Sequence, residues 1–126
     1  MVSPYNVTAK QLTEAYDLSD VQALLAQDDE KLVVNGDSRR TLRHFAALGF
    51  PSPGEEMVLR TIVLDLTPAC FQHSIQYDNR PTWHDVYVLP NWVAPNGQQH
   101  SMYVKFKLSP SGQLVVLCSC HPEGWT

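Results

Sequence analysis

Two histidines, His73 and His84, stand between aromatic neighbours in the stretches Phe71–Gln72–His73–Ser74–Ile75–Gln76–Tyr77 and Pro81–Thr82–Trp83–His84–Asp85–Val86–Tyr87. Further on come Met102–Tyr103–Val104–Lys105–Phe106–Lys107 and Val116–Leu117–Cys118–Ser119–Cys120–His121. Imidazole titrates near neutrality, so a histidine beside a reacting oxygen can take or give a proton there. Tyr103 adds a hydroxyl, and Lys105 and Lys107 add positive charge on the same side of one alternating run. Cys118, Cys120 and His121, with His73 or His84, also offer soft ligands of the kind zinc takes. Against zinc, alternation turns His121 away from the two cysteines unless the chain kinks before Pro122, and the spacing fits no common finger.

Such side chains need a scaffold, and the chain divides into two halves by its period. From Thr8 the apolar positions Leu12, Ala15, Tyr16, Leu18, Val21, Leu24 and Leu25 recur at helical spacing. Thr8 and Gln11 form a candidate capping box, and Asp17–Asp20 is a break with Ser19 or Asp20 as a second cap. Leu32–Val34 reads as a short strand, followed by a turn at Asn35–Gly36–Asp37. Ser38 then caps a helix over Arg39–Leu48 that Gly49 stops. Arg39, Arg40 and Arg43 form a basic cluster whose plainer reading is a solvated helix face. Glu55–Leu66 is a third helical stretch, acidic in its first turn as the dipole favours, with Met57, Val58, Ile62, Val63 and Leu66 as its apolar set. Thr67–Pro68 opens one more short turn.

Beyond it the period is two. Met102, Val104, Phe106 and Leu108 alternate with Tyr103, Lys105 and Lys107, and His84, Val86 and Val88 oppose Trp83, Asp85 and Tyr87. Pro90–Gly97 reads as a long loop holding Trp92, and Pro110–Gly112 as a hairpin turn. Trp83 and Tyr87 read as core aromatics, and His44 and His100 as surface residues. The expectation is one α+β domain over residues 1–126, with N-terminal helices (about residues 8–72) packed on one face of a C-terminal antiparallel sheet (about residues 73–121).

At 126 residues, 44% of them hydrophobic, the chain is long enough for one proper core and too short for two. No apolar run spans a bilayer and no leader pattern opens the chain, so a soluble, cytoplasmic protein is expected. Three cysteines make a poor disulfide framework and fit a reducing compartment. The net charge of −4 argues against a surface that grips nucleic acid all round, though not against a local basic patch.

The blocks Leu48–Gly49–Phe50, Leu66–Thr67–Pro68, His73–Ser74, Trp83–His84–Asp85–Val86–Tyr87 and Met102–Tyr103–Val104–Lys105–Phe106 together resemble the MqsR family. These are toxins of bacterial type II toxin–antitoxin pairs with a RelE-like fold. The resemblance runs from about Arg39 to His121, with a longer loop around Trp92–Gln99. It implies a sequence-selective, metal-independent mRNA endoribonuclease, neutralised by a cognate antitoxin protein and needing no cofactor. The family's site positions fall on His73, His84, Tyr103 and His121. Only the tyrosine is kept; two lysines and a glutamine are replaced by histidine.

Cleaving RNA without a metal requires deprotonating a 2′-hydroxyl, stabilising charge on the phosphorane and protonating the 5′-oxygen, giving a 2′,3′-cyclic phosphate and a 5′-hydroxyl. An unperturbed lysine is ~4 units too basic to act as base at neutrality, whereas histidine is in range. The resemblance therefore implies His73 and His121 as a base–acid pair, in either order. Tyr103 would orient the phosphate and Lys105 would supply charge. His84 would be a third titrating group or a base contact, its plainer reading being structural. Trp92 and Lys107 complete the candidate contacts to single-stranded mRNA, Trp92 by stacking on a base, although Lys107 also reads as a solvated charge. The rival to an enzyme is a non-catalytic module that keeps the fold and holds a protein partner.

Overall fold

A computed structural model describes residues 7–35, 38–77 and 80–125. The chain runs β1 (Val7–Gln11), α1 (Leu18–Gln27), β2 (Leu32–Val34), α2 (Ser38–Leu48), α3 (Glu55–Asp65), β3 (Phe71–Tyr77), β4 (Arg80–Val93), β5 (Gln99–Leu108) and β6 (Val115–Pro122). Single 3-10 turns precede β2 and β3. The architecture is α+β, with six strands in the order β1-β3-β4-β5-β6-β2. All neighbours are antiparallel except β2, which runs parallel to β6.

The helices bury one face of this sheet. Leu18, Val21 and Leu25 of α1, Phe45 and Leu48 of α2, and Leu59, Ile62 and Val63 of α3 meet Tyr87, Met102, Val104, Phe106, Val115 and Leu117 in one core. The period-two pattern of β5 accounts for this directly: Met102, Val104 and Phe106 are buried, while Tyr103, Lys105 and Lys107 point to the opposite side.

The N-terminal half is not purely helical. Val7–Gln11, expected to open a helix, pairs with β3 as an edge strand, so the Thr8 capping box does not form. Five residues add ladder hydrogen bonds to an existing strand more readily than they nucleate a helix. The one helix here starts at Leu18, where the Asp17 carboxylate accepts the Ser19 N–H at 2.8 Å and the Asp20 N–H at 3.3 Å. Asp17, not Ser19 or Asp20, is therefore the cap. Both sheet edges, β1 and β2, come from the N-terminal half, and of the two only Leu32–Val34 was expected as a strand.

Helix α2 ends as expected. The Phe50 N–H donates to Phe45 O at 3.0 Å and the Gly49 N–H to Ala46 O at 3.2 Å, with Gly49 at φ +80°. A Cβ at Gly49 would also lie 2.9 Å from Asn96 Cβ, so two reasons converge on glycine there. In α3 the apolar set needs one exchange. Met57 is 70% exposed and Leu59 is 1% exposed.

The long loop at Pro90–Gly97 is also corrected. Strand β4 continues through a bulge, with Asn91 at φ 58°, and pairs Trp92 with His100 and Val93 with Gln99. Proline is tolerated there because the ladder is already interrupted. The turn itself spans only Ala94–Gln98, closed by Gly97 N–H to Ala94 O at 2.8 Å. It is clamped to the end of α2 by Asn96 Nδ2 donating to Ala47 O at 2.9 Å. The N-terminal start, the Gly36–Asp37 turn, the Ser38 cap and the side chains of Arg39 and Arg40 lie outside the described residues.

Candidate functional site

The sheet face turned away from the helices collects most of the candidate side chains, because strand register fixes which residues share it. Pairing sets His73 opposite Val86 and Ile75 opposite His84. It sets Val86 opposite Lys105 and Val88 opposite Tyr103, then Lys105 opposite Ser119 and Tyr103 opposite His121. Two parallel rows result: His73–Val86–Lys105–Ser119 and Val88–Tyr103–His121. Lys10, opposite Ile75, extends the same face on β1, and Lys107 lies two residues beyond Lys105. Among the described strand residues this face carries Lys10, Lys105 and Lys107 and no carboxylate. The single strand carboxylate, Asp85, is turned to the helix side and fully buried. The acidic balance of the whole chain therefore does not describe this surface.

His121 lies against Tyr103 with ring centroids 5.2 Å apart and planes 19° from parallel. Its Nδ1 is 2.8 Å from Pro122 O. A carbonyl oxygen only accepts, so Nδ1 carries the hydrogen and Nε2 is left as the proton-accepting atom. Burial raises the Tyr103 phenol above its ordinary pKa, with Tyr77 adding to the rise and Lys105 opposing it. Tyr103 is thus a hydrogen-bond donor at neutrality. On its other side His121 meets His44 of α2 at 5.6 Å between centroids, and His44 meets Trp125 at 5.5 Å.

Lys105 Nζ donates to Tyr77 Oη and sits 4.7 Å from the Tyr77 ring centroid. Tyr77 in turn meets the edge of His84 at 5.2 Å and 74°. His84 is 2% exposed, so it supports this face from beneath and reaches no ligand as it stands.

His73 and His121 are not brought together. They lie on β3 and β6, with β4 and β5 between them, a backbone separation of roughly 14 Å at ordinary strand spacing. Burial lowers the pKa of His73, and Lys10 lowers it further, so its imidazole is neutral at pH 7. Trp92 is not a loop aromatic free to stack on a base. It points to the helix side and packs against Phe50 at 6.0 Å. The zinc set is not gathered either. Cys118 occupies a bulge, Cys120 pairs with Val104 toward the core, and His121 faces the other way. Burial pushes the Cys120 thiol up to about 12, against the thiolate a metal needs. Among the described residues no group of three His, Cys, Asp or Glu side chains converges for a metal.

Three participants escaped the sequence reading. His44, read as a surface residue, is buried; it lies next to Phe45 and four residues before Leu48, and that helical spacing was the available signal. Tyr77 shares the alternation of Ile75. Trp125, beyond the last strand, had no pattern to mark it, and it also holds His100 edge-on at 5.4 Å.

A cleft of about 460 Å³ beside the start of α1, between Glu14, Asp17 and Pro68, is acidic, unlike the basic sheet face. No described helix is long and apolar enough to cross a membrane. Compared with known proteins, the chain matches no family profile and no curated sequence.

Proposed function

We propose that this protein is a metal-independent, sequence-selective mRNA endoribonuclease, the toxin of a bacterial toxin–antitoxin pair with a RelE-like arrangement of helices and sheet. It would act in the cytoplasm and be silenced by a cognate antitoxin protein. The observation that carries the reading is the Tyr103–His121 pair with Lys105 in the next row, a proton acceptor, a hydroxyl donor and a cation on one basic surface. The block resemblance to MqsR toxins supports it from the sequence side.

In this reading His121 Nε2 takes the proton of the 2′-hydroxyl, and the 2′-oxygen forms a bond to phosphorus. Tyr103 donates to a non-bridging oxygen, and Lys105 opposes the added charge of the phosphorane. The phosphorus–5′-oxygen bond then breaks, and the proton held by His121 passes to the departing 5′-oxygen. One imidazole serves both transfers because the second candidate, His73, is two strands beyond Lys105. His73, neutral beside Lys10, contacts a flanking nucleotide, and Lys107 adds charge along the same path. Trp92 has no part.

A cleavage assay on mixed RNA in EDTA tests this. Wild type should yield cyclic-phosphate ends, and His121→Ala should not. Intact RNA after incubation with folded wild type would overturn the enzyme reading. The net charge of −4 would then favour the non-catalytic module.

A further inference from the structure

We propose that Tyr77 is the positioning residue for Lys105, with buried His84 fixing Tyr77 from below. The catalytic consequence rests on the ribonuclease reading; the positioning does not. A lysine side chain has four rotatable bonds and a mobile head, so its charge helps a transition state only if something holds it in place beforehand. Lys105 is held by one residue. Its Nζ donates to the Tyr77 hydroxyl at the end of that ring, 4.7 Å from the centroid.

Tyr77 is on β3 and Lys105 on β5, so their contact passes over β4 between them. This arch explains an oddity of the open face. His84 and Val86 lie beneath it and are 2% and 1% exposed, although they sit on the face opposite the helix-packed core. The edge contact of His84 with the Tyr77 ring sets the tilt of the arch. An ammonium has three N–H groups. One goes to Tyr77, and the other two remain for non-bridging oxygens of a phosphodiester. His84, placed in the site by resemblance, thereby gains a role that needs no contact with substrate.

The test reads Lys105 itself. The full-length protein is treated briefly with an amine-acylating reagent, and modification of Lys105 is measured by peptide mass spectrometry, with Lys107 on the same strand as internal reference. Relative to Lys107, Lys105 should react several-fold faster in Tyr77→Leu than in wild type, and by an intermediate amount in Tyr77→Phe, which keeps the ring and loses the hydroxyl. In parallel, kcat for RNA should fall about 10-fold in Tyr77→Phe and about 100-fold in Tyr77→Leu, on the order of the loss of one preorganised donor, with KM changed less than kcat. Should Tyr77→Leu fail to fold, Tyr77→Phe carries the labelling test alone. Unchanged Lys105 labelling in a folded Tyr77 variant overturns the proposal. Absence of cleavage by wild type overturns the ribonuclease reading and leaves the labelling result to decide the positioning.

Discussion

His121 and Tyr103 face each other across β6 and β5, nearly parallel, while the His121 Nδ1–H is tied to its neighbour's carbonyl. The stack limits how the imidazole can turn, and the carbonyl fixes its tautomer. Together they leave Nε2 as the one ring atom able to take a proton. If His121 is the base, His121→Ala should cost about 100-fold or more in cleavage, the usual scale for a positioned acid–base group. Tyr103→Phe preserves the stack and removes only the donor, so it should cost about 10-fold. Equal rates for wild type and His121→Ala in a single-turnover assay would remove His121 from the chemistry.

The lowered pKa of His73 ties stability to pH with a definite sign. In the window below its ordinary value of 6.5, the folded state binds fewer protons at His73 than the unfolded chain does. The stability it contributes is full above that value and is lost as pH falls. His73→Gln should therefore flatten the acid side of the profile below the ordinary histidine value of 6.5. Urea midpoints across that range measure it; a slope identical to wild type would contradict the assignment.

Strand faces were legible where one face is buried and the other is not. The alternation of Met102–Lys107 placed Tyr103 and Lys105 together because a one-residue slip would have buried both lysines. Edge strand β1 was not legible, since Val7–Gln11 is held by ladder bonds to β3 and its side chains are mostly exposed, which leaves no alternation to read. Trp92 was misplaced because a bulge at Pro90–Asn91 has the composition of a loop. The pairing of His44 with His121 joins a helix to the last strand, and no local period encodes that. The same limit explains the assumed His73–His121 pair: the resemblance put both in one cleft, and no local pattern says how many strands lie between them.

Helix α3 supplies a paired stability test. Leu59 is 1% exposed and Met57 is 70% exposed, two positions apart on one helix. Leu59→Ala should lower unfolding free energy by about 3 kcal/mol, the cost of a buried leucine plus the cavity it leaves. Met57→Ala should change it by less than about 0.5 kcal/mol, as for ordinary surface sites. Denaturant midpoints for the two variants should differ in that order, and the reverse order would mean that α3 is rotated about its axis.

Asp85 gives the sharpest test of how the site-bearing sheet is tied to the N-terminal half. Its Oδ1 and Oδ2 accept the backbone N–H groups of Ala15 and Tyr16, each at 3.0 Å, while the Tyr16 hydroxyl donates to Trp83 O at 2.8 Å. This set pins the link between β1 and α1 onto β4. Burial is the largest influence on Asp85 and raises its pKa, although the bonds from Ala15, Ser74 and Tyr16 oppose the rise. With a raised folded-state pKa, the folded chain binds more protons than the unfolded one from the ordinary value of 3.8 up to the raised one, so stability falls as pH rises through that window. Ionisation of Asp85 is thus a cost, and its value lies in the two N–H groups it satisfies. Asp85→Ala leaves both without a partner and should cost about 2–5 kcal/mol by urea unfolding at pH 7. Asp85→Asn keeps one acceptor, should cost less than alanine, and should lose the fall in stability above pH 3.8. If alanine proved no worse than asparagine, the two backbone bonds would not be what holds the link in place.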